Sequence, residues 1–175
     1  MKPGEKGFTL VELLVSLAIT VLITAAAGAA LYQVFRGSTR NNDYMTAVRQ
    51  VENAGFWISR DAQMANSVTT NATSPTLLVI NWTEWITATS ANYHSATYFF
   101  DGLANGIGSL KRNHWSTAGD NQTTLIAGSI YYNPVDTVNT TSLSYEGELL
   151  TVRVTALCEN TMETREYIIS RRTNQ

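Results

Sequence analysis

The chain has 175 residues, a formal net charge of −2 and one cysteine, Cys158. A charge so close to zero provides no basic surface for nucleic acid, and a lone cysteine excludes an internal disulfide. Charged residues make up only 15% of the chain, whereas threonine, asparagine and serine are abundant, a composition common in extracellular β-rich proteins.

A long uncharged segment begins near the N-terminus. Lys2 and Lys6 precede Gly7, and from Phe8 to Phe35 the only charged side chain is Glu12. At ~1.5 Å of rise per residue, the part beyond the glutamate is long enough to cross a ~30 Å hydrocarbon core as a helix. A carboxylate at the start of such a helix costs roughly a few kcal/mol on membrane insertion, which indicates that it has a specific partner.

The run Gly-Phe-Thr-Leu-Val-Glu-Leu-Leu-Val from Gly7 to Val15 resembles the class III signal of type IV prepilins and type II secretion pseudopilins. The resemblance implies that a prepilin peptidase cuts between Gly7 and Phe8 and then methylates the new N-terminus at Phe8. It also implies that Glu12 guides assembly by meeting the terminal amine of a neighbouring subunit. The physical chemistry agrees, because the amine and the carboxylate lie one helical turn apart and each costs less when paired.

Two other interpretations compete, an ordinary secretory signal peptide and a plain signal-anchor helix. The apolar run is too long for the first, and its single charge follows a glycine. Charge bias does not settle the orientation, because Lys2 and Lys6 on one side face Arg36 and Arg40 on the other. The family orientation is that of a single-pass inner-membrane protein with its N-terminus inside and its head outside, which later enters an extracytoplasmic filament.

A polar patch at residues 36–42 follows, through which the helix either continues or breaks and restarts. From Tyr44 onward, apolar residues recur at spacings of three and four, which indicates an amphipathic helix. The predicted buried stripe consists of Tyr44, Ala47, Val48, Val51, Ala54, Gly55, Ile58, Ala62 and Ala65. Trp57 falls opposite this stripe and is expected to be partly buried under a loop or to contact another subunit.

The sequence thus predicts four segments: a leader at 1–7, a transmembrane and filament-core helix at 8–35, an amphipathic continuation at 36–68 and a β-rich head at 69–175. Hydrophobic alternation and turn residues predict strands at 76–85, 95–100, 109–115, 123–132, 141–145, 149–157 and 164–171. The stretch 123–132 is alternatively a short helix-like connector. Asp101-Gly102, Asn105-Gly106 and Glu146-Gly147-Glu148 are predicted turns, and the short connections imply mainly antiparallel pairing.

Two looser motifs resemble minor pilins and pseudopilins of the PilW/GspJ type. The stretch Trp57–Ala65 contains their late-helix signature Arg-Asp-x-x-x-Ala, and Tyr98–Gly102 followed by Leu110–Arg112 resembles their central strand pair. The resemblance implies an α+β fold in which a long N-terminal helix packs on an antiparallel β-sheet, the pilin ladle. It also implies a priming or tip position rather than a place in the filament shaft.

Arg60 and Asp61 of this signature point about 100° apart around a helix, so they do not pair with each other. Each is a candidate for a contact between the helix and the head or between subunits.

Nothing in the sequence indicates catalysis, a cofactor or a metal. His94 and His114 lack cysteine or carboxylate neighbours at metal-ligand spacing, and no serine lies in a nucleophile-elbow pattern. Cys158 lies in an apolar alternation and is expected to be a small strand or core residue. We therefore expect a protein that is not an enzyme.

Four aromatic residues cluster around two of the predicted strands. We expect them to pack in the core, and the alternative is that they are exposed and stack on sugars or on a partner pilin. They are Trp82, Trp85, Tyr93 and Trp115.

The function that follows is a structural subunit of a type IV pilus or a type II secretion pseudopilus. Its expected partners are the prepilin peptidase, other pilins or pseudopilins, the inner-membrane assembly platform and, before assembly, membrane lipid. The alternative function is a pilus-associated adhesin or DNA-uptake pilin that binds a surface ligand through its aromatic-rich head.

Overall fold

A computed structural model of the chain describes residues 7–71 and 75–171. It contains one long helix and an eight-stranded sheet, and the chain divides into two compact units, Met1–Asn42 and Asp43–Gln175. The elements are α1 (Leu10–Met64), β1 (Ser67–Thr70), β2 (Thr76–Thr87), β3 (Ser90–Ala104), β4 (Ile107–Ser116), β5 (Asn121–Tyr131), β6 (Ser142–Glu146), β7 (Leu149–Cys158) and β8 (Thr161–Ser170).

In the first unit, α1 is exposed along its whole length to Asn42, including its Leu, Val and Ile side chains. The hydroxyls in this stretch bond back to carbonyls of the same helix: Thr20 Oγ1 donates to Ser16 O at 2.8 Å and Thr24 Oγ1 to Thr20 O at 2.8 Å. The helix also continues unbroken through the polar patch at residues 36–42. Up to Phe35, the helix in this unit is thus exposed and mainly apolar, and the hydroxyls of Thr20 and Thr24 are satisfied by its own backbone.

In the second unit, all strand pairs are antiparallel and the sheet has the order β1-β2-β3-β4-β5-β7-β6, with β8 on β7. The expected antiparallel α+β fold is therefore confirmed. Most neighbouring strands are consecutive in sequence, because short turns connect them. The stretch 123–132 lies largely within β5 and is not a helical connector.

Two of the hairpin turns lie where the sequence predicts them. Asn105 and Gly106 both have positive φ, at 52° and 80°, and form the two-residue loop between β3 and β4 that such pairs favour. Gly147, at φ 62°, lies in the turn between β6 and β7. The predicted turn at Asp101-Gly102 is wrong. Gly102 has φ 65° inside β3 beside a register shift, so its left-handed conformation makes a bulge instead of ending the strand.

The beginning of the head also differs from the prediction. The helix ends at Met64, before the predicted boundary at residue 68, and Ser67–Thr70 forms an additional strand on β2. A stretch of Ser, Val and Thr this short gives little periodic signal. It becomes a strand because β2 offers an open edge, with Val68 opposite Ile80.

The face of α1 that packs on the sheet is lined by small and branched side chains, and the predicted stripe is largely confirmed. Its buried members are Ala47, Val51, Ala54, Gly55, Ile58 and Ala62. Tyr44 is exposed, because burial against the head begins at Ala47. Opposite the helix, the core is completed mainly by even-numbered strand residues, among them Leu78, Ile80, Ala96, Leu110 and Val152.

Gly55 of α1 packs directly against the ring of Tyr167 on β8. A Cβ at this position would lie 2.1 to 2.5 Å from three ring atoms of Tyr167. The ring has little freedom to move away, because the Tyr167 hydroxyl donates to the carbonyl of Val51 at 3.1 Å. The glycine is therefore required by packing rather than by its backbone conformation.

One buried carboxylate, Asp61, joins α1 to two central strands. Its Oδ2 accepts hydrogen bonds from the Tyr98 hydroxyl on β3 and from Arg112 Nε on β4, both at 2.6 Å, and its Oδ1 accepts one from Arg112 Nη2 at 3.0 Å. Asp61 is 0% exposed, and Tyr98 and Arg112 are direct partners in the sheet register. Burial lowers the pKa of the Arg112 guanidinium, but the bonds and charge of Asp61 outweigh this and raise it overall. Burial raises the pKa of the Tyr98 hydroxyl, and the negative charge of Asp61 raises it further.

We predict that Asp61→Asn destabilises the head strongly. The substitution leaves the Arg112 charge buried without its counter-ion, which costs about 3–5 kcal/mol. All four tryptophans lie beyond residue 56, so the urea unfolding of the full chain in micelles, followed by tryptophan fluorescence, reports on the head. The matched control is Asp101→Asn, which breaks the exposed ion pair with Lys111 and should cost less than about 1 kcal/mol. Equal effects of the two variants would contradict the assignment.

We further predict that Gly55→Ala costs about 1–3 kcal/mol, because a well-packed interface must shift to admit a methyl group. Gly128→Ala serves as the control, since a Cβ there has no atom within 4 Å. The double variant Gly55→Ala/Tyr167→Ala should be more stable than the sum of the single losses implies. Additive losses in the same unfolding assay would show that the ring does not restrict this position.

Candidate functional site

The start of α1 is closed by a reciprocal cap. The Thr9 backbone N–H and Oγ1 both donate to Glu12 Oε2, at 2.8 and 2.9 Å, and the Glu12 N–H donates to Thr9 Oγ1 at 3.3 Å. This is the capping box, in which a threonine at the N-cap and a glutamate three residues later satisfy each other's orphan donors. The pattern Thr-x-x-Glu is present in the sequence, but the prediction paired Glu12 with a terminal amine, across chains or within one, and not with Thr9.

Gly7 and Phe8 lie just before the helix, are exposed and have no regular secondary structure. The expected cleavage site between them is therefore at the boundary between non-helical chain and the capped helix. The remainder of the expected leader, Met1–Lys6 with both lysines, lies outside the described residues.

Of the two neighbours in the late-helix signature, Asp61 faces the sheet and Arg60 is exposed. The Arg60 guanidinium lies 5.4 Å from the centroid of the Trp57 ring, and the Arg112 guanidinium lies 5.2 Å from the same ring. Trp57 is half-buried against the core through these contacts, so no loop is needed to cover it. Asp61 is occupied within its own chain, whereas Arg60 remains available at the surface.

The two histidines, which looked isolated in the sequence, meet across the sheet. His94 Nδ1 lies 3.2 Å from His114 Nε2, and His94 Nε2 lies 3.2 Å from Glu84 Oε2. Trp82 stacks on both rings, with centroids 5.1 and 5.5 Å away. The strand register, which pairs Trp82 with His94, brings these side chains to the same face. Sequence spacing alone could not reveal this, because the pairing depends on the hairpin turns.

This histidine pair has few of the features that a catalytic or metal site requires. Burial lowers the pKa of His114, as does the nearby charge of Arg112, which favours the neutral ring. Within the described ranges, no three His, Cys, Asp or Glu side chains converge to hold a metal ion. Neither ring is hydrogen-bonded to a hydroxyl or thiol of the described chain. The geometry fits a packed, hydrogen-bonded cluster.

Cys158 lies at the end of β7 and is half-buried, in agreement with the expected strand residue. Burial raises the pKa of its thiol, which disfavours the reactive thiolate.

The remaining aromatic residues of the cluster are on the surface, and the expectation that they pack in the core is wrong for three of the four. Trp85 is 68% exposed, Tyr93 57% and Trp115 47%. Only Trp82 packs against the core. Alternation within the strands separates them, because Trp82 is on the face that α1 partly covers and the other three are on the opposite face.

Comparison with known proteins gives one match. The family described as the prokaryotic N-terminal methylation motif matches residues 2–28. No curated protein and no solved structure matches the chain. In addition, α1 is the one helix of the described chain that is long and apolar enough to cross a membrane. The chain therefore carries, on an apolar helix suited to single-pass membrane anchoring, the methylation motif that is typical of type IV pilins and pseudopilins.

Proposed function

We propose that this protein is a minor pilin or pseudopilin, a structural subunit of a type IV pilus or type II secretion pseudopilus. One observation carries the proposal: the methylation motif heads a helix whose apolar side chains, from Leu10 to Phe35, have no cover within the described chain. Lipid covers such a surface before assembly, and neighbouring helices cover it in a filament. The prepilin peptidase, the inner-membrane assembly platform and other pilins are the partners this route requires.

The proposed subclass is the PilW/GspJ type, which implies a priming or tip position. Its support is that the two motifs quoted for it meet in space. Asp61 of the late-helix signature is hydrogen-bonded to Tyr98 and Arg112 of the central strand pair. Two loose sequence patterns thus describe a single contact between helix and sheet, which makes their joint occurrence more specific than either pattern alone.

In the proposed orientation, the N-terminus is cytoplasmic and the residue 69–175 head is outside. Segment 1–7 is removed, and 8–35 and 36–68 act as the filament-core helix and its amphipathic continuation. Glu12 then lies one turn from the new amine at Phe8, in reach of the amine of its own or a neighbouring subunit. Arg60, exposed on the helix, is the candidate subunit contact.

A second function, recognition of a surface ligand by the head, is favoured by the exposure of Trp85, Tyr93 and Trp115. In this adhesin-like role the same helix supplies the anchor. A DNA-uptake role is less favoured, because the chain has a net charge of −2 and offers no surplus of cations to neutralise phosphates.

We predict that co-expression with an active prepilin peptidase yields a chain that begins with N-methylated phenylalanine at Phe8. Intact mass and N-terminal sequencing measure this directly, and a catalytically inactive peptidase is the control. A chain that still begins at Met1 beside an enzyme that processes another prepilin in the same cells would overturn the proposal.

We also predict that the charge of Glu12, and not its cap alone, is needed for assembly. Glu12→Gln keeps the capping geometry, which accepts either residue, but removes the charge that a neighbouring amine requires. Its incorporation into sheared filaments should fall by more than about tenfold, since an amine left unpaired in an apolar setting costs several kcal/mol.

The matched variant Thr9→Val removes the side-chain half of the cap and keeps the charge. It should retain most assembly, provided that both variants are processed and reach the membrane equally. If Glu12→Gln assembles normally while Thr9→Val fails, the cap is the assembly determinant and the charge-pairing role is wrong.

A further inference from the structure

The outer face of β2, β3 and β4, meaning the face turned away from α1, carries a row of exposed aromatic rings. Alternate residues of a strand lie on opposite faces. Ile80, Ala96 and Leu110, all even-numbered, are buried in the core. The odd-numbered Trp85, Tyr93 and Trp115 therefore share the other face, one on each of three adjacent strands. We call these three residues the aromatic row.

The strand register places the three rings in a diagonal line. Tyr93 lies opposite Thr83, two residues from Trp85, and Trp115 lies opposite Ser95, two residues from Tyr93. Diagonal neighbours of this kind are ~7–8 Å apart between their Cα atoms, with strands ~4.8 Å apart. None of the three stacks on another ring of the described chain, so each is available to an external ligand.

The surroundings of the row are uncharged and rich in hydrogen-bonding groups. Several outer-face neighbours on the same strands and on β5 are hydroxyl and amide side chains: Thr83, Ser95, Thr97, Asn113 and Asn121. Ala91, opposite Trp85, and Leu125 on β5 are the apolar neighbours. The nearest charges on this face, Lys111 and Asp101, neutralise each other in an ion pair. From Lys111 to Trp115 is four residues of strand, ~13 Å at ~3.3 Å per residue.

This combination selects among ligands by charge and shape. An anionic polymer such as DNA finds no cation here, and a charged peptide finds no counter-ion. A neutral glycan chain matches on three counts: its apolar ring faces stack on aromatic rings, its hydroxyls bond to hydroxyl and amide side chains, and its successive sugar units follow a line. From this geometry we propose that the aromatic row is a binding site for neutral polysaccharide.

The proposal deepens the second function above by naming its ligand class, and it does not depend on filament assembly. The test uses the full chain in lipid nanodiscs, because maltoside or glucoside detergents would themselves compete for a sugar site. The chain is incubated with cellulose, chitin and starch particles, and the bound fraction is measured with empty nanodiscs as the lipid control.

We expect retention on at least one of these neutral polysaccharides, with the affinity reduced about tenfold or more by each of Trp85→Ala, Tyr93→Ala and Trp115→Ala, the loss expected of an aromatic contact residue. Ile86→Ala is the matched control: Ile86 is 59% exposed and adjacent to Trp85, but it carries no aromatic ring and lies at the register shift between Trp85 and Thr87. Leu125→Ala removes an exposed apolar side chain from the outer face away from the row. Both controls should bind as the unmodified chain does.

Each variant is also compared in its unfolding midpoint, which should not change because the side chains are exposed. Retention on none of the three polysaccharides, or retention that the three aromatic variants leave intact, would overturn the proposal. So would aromatic variants that lose filament incorporation while the unmodified chain binds no polysaccharide, since the row would then be a contact between subunits. A negative result in the glycan assay would not affect the prediction that the processed chain begins at Phe8, so the two proposals can be overturned separately.

Discussion

The contact of Asp61 with Tyr98 and Arg112 is the constraint on which the head depends. A helix lined with Ala and Gly can slide along a sheet with little loss of apolar contact, because small side chains do not lock into one register. A fully buried carboxylate cannot slide, since a displacement that breaks its bonds leaves two charges without solvent or partner. The three hydrogen bonds therefore fix the axial position of α1 over β3 and β4. Gly55 lets α1 lie close to β8, because a Cβ at this position would clash with the ring of Tyr167.

The first unit differs from the head, because nothing in the described chain covers its apolar surface. Its side chains are suited to a medium without water. Thr20 and Thr24 return their hydroxyl hydrogens to the helix backbone, so neither requires a solvent partner. An apolar helix segment whose threonine hydroxyls bond to its own backbone is as compatible with lipid as with the side of another such helix. Exchange between these two environments is what the proposed assembly requires.

Local signals in the sequence predicted much of this fold. The helical period beyond Tyr44, the Asn105-Gly106 turn and the hairpin around Gly147 depend on neighbouring residues, so they can be read without tertiary information. The turn predicted at Asp101-Gly102 was wrong, because a glycine with positive φ occurs both in turns and in bulges, and the partner strand decides between them.

The contacts that define the candidate sites join residues that are far apart in the sequence, so local sequence patterns do not predict them. Asp61 meets Arg112 across 51 residues and His94 meets His114 across 20. For the aromatic residues, alternation shows that Trp82 and Trp85 lie on opposite faces, but only the placement of α1 decides which face is covered. The cap between Thr9 and Glu12 is the exception, because it spans three residues and follows a known pattern.

That cap is also compatible with the proposed processing, in which Glu12 serves both before and after cleavage. In an apolar medium the carboxylate of Glu12 would be costly if it had no donors. Here the backbone and hydroxyl of Thr9 supply two, at the end of the helix where the macrodipole favours a negative charge. Both donors converge on one oxygen, Oε2, and Oε1 accepts no hydrogen bond from the described residues, so it could accept one from an amine. Removal of the leader would create that amine at Phe8, the residue before the cap. In the proposed assembly, the cap persists while the second oxygen pairs with a terminal amine, so that cleavage would add a partner to the carboxylate without dismantling the start of the helix.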